Sequence, residues 1–133
     1  MSLLSFQEVG KLDESCLKLA KISGVNFAGV INKNGRLIAG GFRTDSNSYK
    51  KEKLQMIFLE LYLDYSMRKE FDSVLGKINY MTTLREHVNV TTIPYNEELI
   101  LILSQPNTDI NNLVEKCTDI FKGLSKAESL IDN

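Results

Sequence analysis

Two short stretches, Phe27-Ala28-Gly29-Val30-Ile31 and Leu99-Ile100-Leu101-Ile102-Leu103, are apolar at nearly every position. A strand with one face in water alternates apolar and polar residues, so an unbroken apolar run reads as a strand covered on both faces. A sheet holding two such strands at its centre needs a layer of helices on each side. The chain is long enough for this: a domain of 133 residues buries roughly two-thirds of its unfolded surface and needs no metal or disulfide staple.

The remaining elements follow from local signals. Ser5-Phe6-Gln7-Glu8 has the spacing of a capping box, and Val9, Leu12, Cys16, Leu19 and Ala20 recur at helical intervals. This predicts a helix over residues 6–22, stopped by Ser23-Gly24. Residues 25–31 and 36–41 read as a hairpin around Asn34-Gly35, a pair suited to two positive-φ positions in a tight turn. Arg43 to Ser48 is polar and reads as a loop. A long helix is expected over residues 49–71, with no clear capping box at its start, and Gly76 breaks the chain after it. Residues 77–84 alternate Ile78, Tyr80 and Thr82 against Asn79, Met81 and Thr83, the pattern of a strand open on one face or along one edge. A strand over 88–93, a turn over 94–97 and the apolar strand over 99–103 complete the sheet. Thr108 or Asp109 can cap a last helix whose stripe runs Ile110, Leu113, Val114, Cys117, Ile120, Phe121 and Leu124. Residues 125–133 read as a fraying or partly helical tail.

The order α-β-β-α-β-β-β-α defines an α+β fold, a three-layer sandwich with a five-stranded antiparallel sheet. The first and last helices share one face and the middle helix covers the other. No linker or repeat divides the chain, so residues 1–133 are expected to form a single domain.

Charge and cysteine usage narrow the function classes. Sixteen Lys and Arg balance seventeen Asp and Glu, which argues against a dedicated nucleic-acid binder, since such affinity rests on clustered cations. No apolar run reaches the roughly 18 residues of a membrane span, and the start Met1-Ser2-Leu3-Leu4-Ser5 lacks the basic and apolar regions of a secretory signal. A cytoplasmic location is expected. Cys16 and Cys117 lie on apolar helix stripes and read as buried thiols. His87 is the sole histidine and falls in a polar turn with no neighbouring nucleophile. Acidic residues are scattered without metal-loop spacing. These readings predict no catalytic residue, no cofactor and no metal.

The middle helix is the unusual element. At about 100° per residue, Leu54, Ile57, Phe58, Leu61 and Tyr65 share one face, while Met56, Leu59, Leu63 and Met67 centre on the opposite one. One face covers the sheet, and the second asks for a cover of its own. At the helix end, Arg68, Lys69 and Asp72 form a candidate partner patch, weighed against cations simply placed near a helix C-terminus.

The element order resembles the roadblock/dynein-light-chain superfamily, a profilin-like or longin-like sandwich. The run from Phe27 to Gly41, with Met67-Arg68-Lys69-Glu70-Phe71-Asp72 and Arg85-Glu86, is similar to small uncharacterised proteins of ammonia-oxidising archaea. The roadblock resemblance implies a non-catalytic homo- or heterodimer that binds or regulates a small GTPase, or acts as a scaffold. It also implies a dimer seam on the middle helix and the adjacent third strand. Transferred to this chain, the candidate interface is Met56, Leu59, Leu63 and Met67 with Asn79, Met81 and Thr83. The competing class is a PAS-like or profilin-like small-molecule sensor, which requires a sizeable apolar cavity holding a few polar groups.

Overall fold

The computed structural model describes residues 5–44 and 49–131, with the backbone alone for 125–131. The elements are α1 (Phe6–Ala20), β1 (Val25–Ile31), β2 (Leu37–Phe42), α2 (Lys51–Lys69), α3 (Asp72–Leu75), β3 (Met81–Leu84), β4 (Asn89–Tyr95), β5 (Glu98–Ser104) and α4 (Ile110–Ile131). The anticipated order holds, with one four-residue helix added after α2. The Asp45 to Ser48 part of the expected loop lies outside the described residues.

The sheet runs β2-β1-β5-β4-β3 with every pair antiparallel. Both continuous apolar strands are central, and the reason shows residue by residue. In β5, Ile100 and Ile102 join the cluster under α1 and α4, whereas Leu99, Leu101 and Leu103 join the cluster under α2. In β1, Ala28 and Val30 face α1 and α4, while Phe27 and Ile31 face α2. A register shift between Val25 and Phe27 turns Val25 to the side of Ala28. From α1, Leu12, Cys16 and Leu19 meet Leu113, Cys117 and Phe121 of α4 in one core, and Phe58 and Tyr65 of α2 close the other.

Capping agrees with the sequence. Glu8 N–H donates to Ser5 Oγ at 3.2 Å and the Ser5 amide reaches Glu8 Oε1 at 3.5 Å, the reciprocal capping box. Asp109 caps α4 through the Asn112 amide at 3.2 Å, and α2 starts at Lys50 with no side-chain cap.

Three expectations change. The hairpin turn carries one positive φ, at Gly35 (74°), instead of two. Gly35 N–H donates to the Asn32 carbonyl at 2.9 Å, while Asn32 Oδ1 accepts from the Asn34 and Arg36 amides at 3.0 Å each. The turn is therefore a three-residue loop with glycine in the left-handed position, organised by the Asn32 side chain. Pro94 and Tyr95 belong to β4, and the turn is reduced to Asn96 and Glu97, with Asn96 at φ 53°. Helix α4 runs on to Ile131, in line with the partly helical reading of the tail.

The third change concerns β3, which begins at Met81 instead of residue 77. Strand alternation would put Ile78 and Tyr80 on one face. Ile78 packs instead with the α2 cluster and Tyr80 with the α1–α4 cluster, so the backbone rotates between them and residues 77–80 leave the ladder.

Candidate interaction surface

Helix α2 is seated by Phe58 and Tyr65, with Leu54, Leu61 and Tyr62 half-buried beside them. The Phe27 ring lies 5.8 Å from Phe58 and 4.9 Å from Phe42, so an aromatic row joins helix, central strand and edge strand. Tyr62 Oη donates to the Glu97 carbonyl at 2.6 Å and ties the helix to the β4–β5 turn. Burial, followed by Tyr65, Glu98 and Glu97, holds the Tyr62 phenol above its ordinary range.

The outer crest of α2 is apolar, and among the described residues nothing covers it. Leu63 is 53% exposed and Met67 68%, with Met56 and Leu59 beside them. Helix α3, which the sequence reading did not place, is apolar and open as well: Phe71 is exposed, and Val74 and Leu75 are each 81% exposed. Leu84 at the end of β3 is likewise open to solvent. Exposed apolar side chains that share one helix crest, as Met56, Leu59, Leu63 and Met67 do, suit an association surface better than scattered ones. The one available signal for α3 was the apolar content of Phe71-Asp72-Ser73-Val74-Leu75 before Gly76, too short for helical periodicity to register.

The structure divides the predicted interface residues between the two flanks of α2. Met56 and Leu59 line a groove with Gly35, Leu37 and Phe42 of the β1–β2 hairpin, and the Leu59 backbone sits close above Gly35. Thr83 lies across the helix, in a second groove with Ile57, Glu60, Leu61 and Asp64. Met81 is half-buried in the α2 cluster, and Asn79 stands exposed in the segment before β3. Between crest and strand runs a charged strip in which Arg68 Nε pairs with Asp64 Oδ1 at 3.1 Å.

The candidate partner patch is similarly split. Arg68 is engaged by Asp64, and Lys69 Nζ stands 5.8 Å from the centre of the Tyr65 ring. Asp72 opens α3, with Oδ1 buried and, among the described residues, without a hydrogen-bond partner.

Elsewhere the side chains offer little reactivity. Both cysteines are buried, and desolvation pushes each thiol up to about 12, with Asp13 adding to Cys16 and Cys16 to Cys117. His87 is exposed in the β3–β4 turn. Among the described residues no three His, Cys, Asp or Glu side chains gather as metal ligands, and no helix is long and apolar enough to cross a membrane.

Comparison with known proteins places the fold. A model of the family described as "Family of unknown function (DUF6659)" matches residues 7–127. No curated protein matches the sequence. A solved structure described as MglB with tetrameric arrangement superposes with a TM-score of 0.74 at 12% identity, covering 95% of this chain and 93% of that one. A Roadblock/LC7 domain from Streptomyces avermitilis gives 0.68 at 10% identity, covering 89% and 98%. MglB of Myxococcus xanthus gives 0.64 at 14% identity, covering 92% and 96%. The chain thus has the roadblock fold.

Proposed function

The chain belongs to this family of unknown function, and from its roadblock fold and the exposed crest of α2 we propose that it is a non-enzymatic, dimeric protein-interaction module. Its role is that of a scaffold or regulator of a small GTPase, carried by a single domain over residues 1–133. The GTPase comes from the roadblock likeness, and the cytoplasmic setting from the sequence reading of residues 1–5. Kinship with small proteins of ammonia-oxidising archaea comes from the Phe27 to Gly41 run.

The observation that carries the reading is the exposed row Met56, Leu59, Leu63 and Met67 above a helix whose inner face is already packed. A second copy related by a two-fold axis covers this row and reaches the β3 edge at Asn79, Met81 and Thr83. The contact crosses the charged strip, where antiparallel helices set Glu60 and Asp64 of one copy toward Arg68 of the other.

Light scattering on a sizing column tests this. The wild type should run at twice 15.1 kDa at micromolar concentration. Leu63→Asp removes about 1.5–3 kcal/mol of apolar burial per copy and adds a charge to be desolvated. The dimer should weaken more than a hundredfold without loss of the fold. A Leu63→Asp protein that remains fully dimeric sinks this choice of face.

A further inference from the structure

The rotation that removes residues 77–80 from the ladder leaves a gap at the sheet edge. Pairing between β3 and β4 ends at Met81 and Thr92, yet β4 runs on to Tyr95. Among the described residues no strand pairs with β4 on that side beyond Thr92, and Pro94 has no N–H to offer one. The unpaired segment is held off to the side, with the Tyr80 hydroxyl at 3.0 Å from Asn111 Oδ1 on α4. The resulting slot has a volume of about 860 Å³, within the range of roughly 300–1,000 Å³ common for small-molecule sites.

The lining comes from both layers of the sandwich. Tyr65 enters from α2, Ile93 and Ile100 from the sheet, and Val114, Cys117 and Phe121 from α4. Around this apolar floor stand Lys69, Lys77 and Lys122, against the single acid Asp72. Lys69 is already placed at the slot by its approach to the Tyr65 ring.

We propose that this slot binds a small amphiphile, an apolar chain or ring carrying one anionic head group. The apolar body lies on Ile93, Val114 and Phe121 between the two cores, and the carboxylate or phosphate head sits among the lysine ammonium groups. The site is complete within one chain. It opens on the same edge as the proposed dimer seam, sharing Asn79, and it stands whether or not two copies pair.

Isothermal titration of the full chain with sodium decanoate, below its micellar concentration, tests the assignment. One decanoate per chain should bind saturably, with decanol and acetate each at least tenfold weaker, because one lacks the charge and the other the chain. Decyl phosphate binding more tightly than decanoate would select a phosphate head, and the reverse a carboxylate. The Lys69→Glu, Lys77→Glu double variant changes only exposed side chains and should weaken decanoate at least tenfold. Thr118→Trp, from an exposed position on α4 that lines the slot, should block binding while circular dichroism shows an unchanged fold. Leu63→Asp should leave binding intact. The proposal fails if decanoate does not saturate, if decanol binds as well, or if Thr118→Trp still binds. It fails equally if Leu63→Asp alone abolishes binding, since the amphiphile would then sit on the α2 crest.

Discussion

Gly40 and Gly41 are adjacent in β2, and the structure assigns them opposite tolerances. Gly40 has φ 82° and donates its N–H to Asp13 Oδ1 at 2.7 Å, fastening the edge strand to α1. A methyl group there would collide with the Ala28 carbonyl oxygen and lie 2.7 Å from Gly29 Cα and 3.0 Å from Cys16 Cβ. An L-residue in the left-handed region costs about 1–2 kcal/mol, and forcing a methyl against packed backbone adds about 1–3 kcal/mol. Gly40→Ala should therefore destabilise the fold by roughly 2–5 kcal/mol, which for a domain of this size lowers Tm by about 8–20 °C. At Gly41 an added methyl meets nothing within 4 Å among the described residues, and the lower entropy of the unfolded chain makes Gly41→Ala neutral or stabilising by up to ~1 kcal/mol. Urea unfolding followed by circular dichroism measures both, with a shifted midpoint and unchanged m-value as the expected signature. Equal costs at the two positions, or a Gly40→Ala loss below about 1 kcal/mol, would refute the close approach of β2 to β1 and α1.

Three further outcomes rest on single residues. Glu98 is only 6% exposed, and burial, followed by repulsion from Glu97, holds its carboxyl above the ordinary 4.5. A raised folded-state value means that the native chain binds the proton more tightly, so this contribution to stability is present below pH 4.5 and lost as pH rises through the raised value. Glu98→Gln should flatten that part of the stability–pH curve and leave the protein more stable at neutral pH, and an unchanged curve would count against the burial. Cys16 and Cys117, with thiols raised to about 12, should resist maleimide at pH 7 in the native state and react together on unfolding; fast native labelling would contradict their packing. Asn89 is buried and its Nδ2 donates to the Gln105 and Pro106 carbonyls at 3.2 Å each. Asn89→Ala removes both bonds, although the Gln105 carbonyl keeps the Thr108 amide, and should cost about 1–3 kcal/mol in urea unfolding.

Much of the scaffold was legible because its signals are local. The capping box at Ser5 and Glu8, the α4 stripe from Ile110 to Leu124 and the two unbroken apolar strands each appear where periodicity and side-chain chemistry put them. Alternation over 77–84 was legible too, but it is only permissive. Whether Ile78 and Tyr80 stay on one face depends on what waits on each side, and here the two cores take one each. The turn at Gly35 was located correctly and typed wrongly, because the Asn32 side chain satisfies the loop amides and removes the need for a second positive φ.

The apolar surface follows the same division. Helical periodicity established by itself that α2 has two apolar sides, since azimuth around a helix depends on residue spacing alone. Which strand each flank meets is a different quantity. The order β2-β1-β5-β4-β3 places the hairpin beside Met56 and Leu59 and β3 beside Ile57 and Asp64, an outcome of pairing between residues some seventy positions apart. Sequence alone thus determined the layers, because a strand apolar on both faces must be covered twice. Tertiary structure alone decided the neighbours, the slot at the β4 edge and the exposure of α3, because each depends on where a distant segment stops pairing.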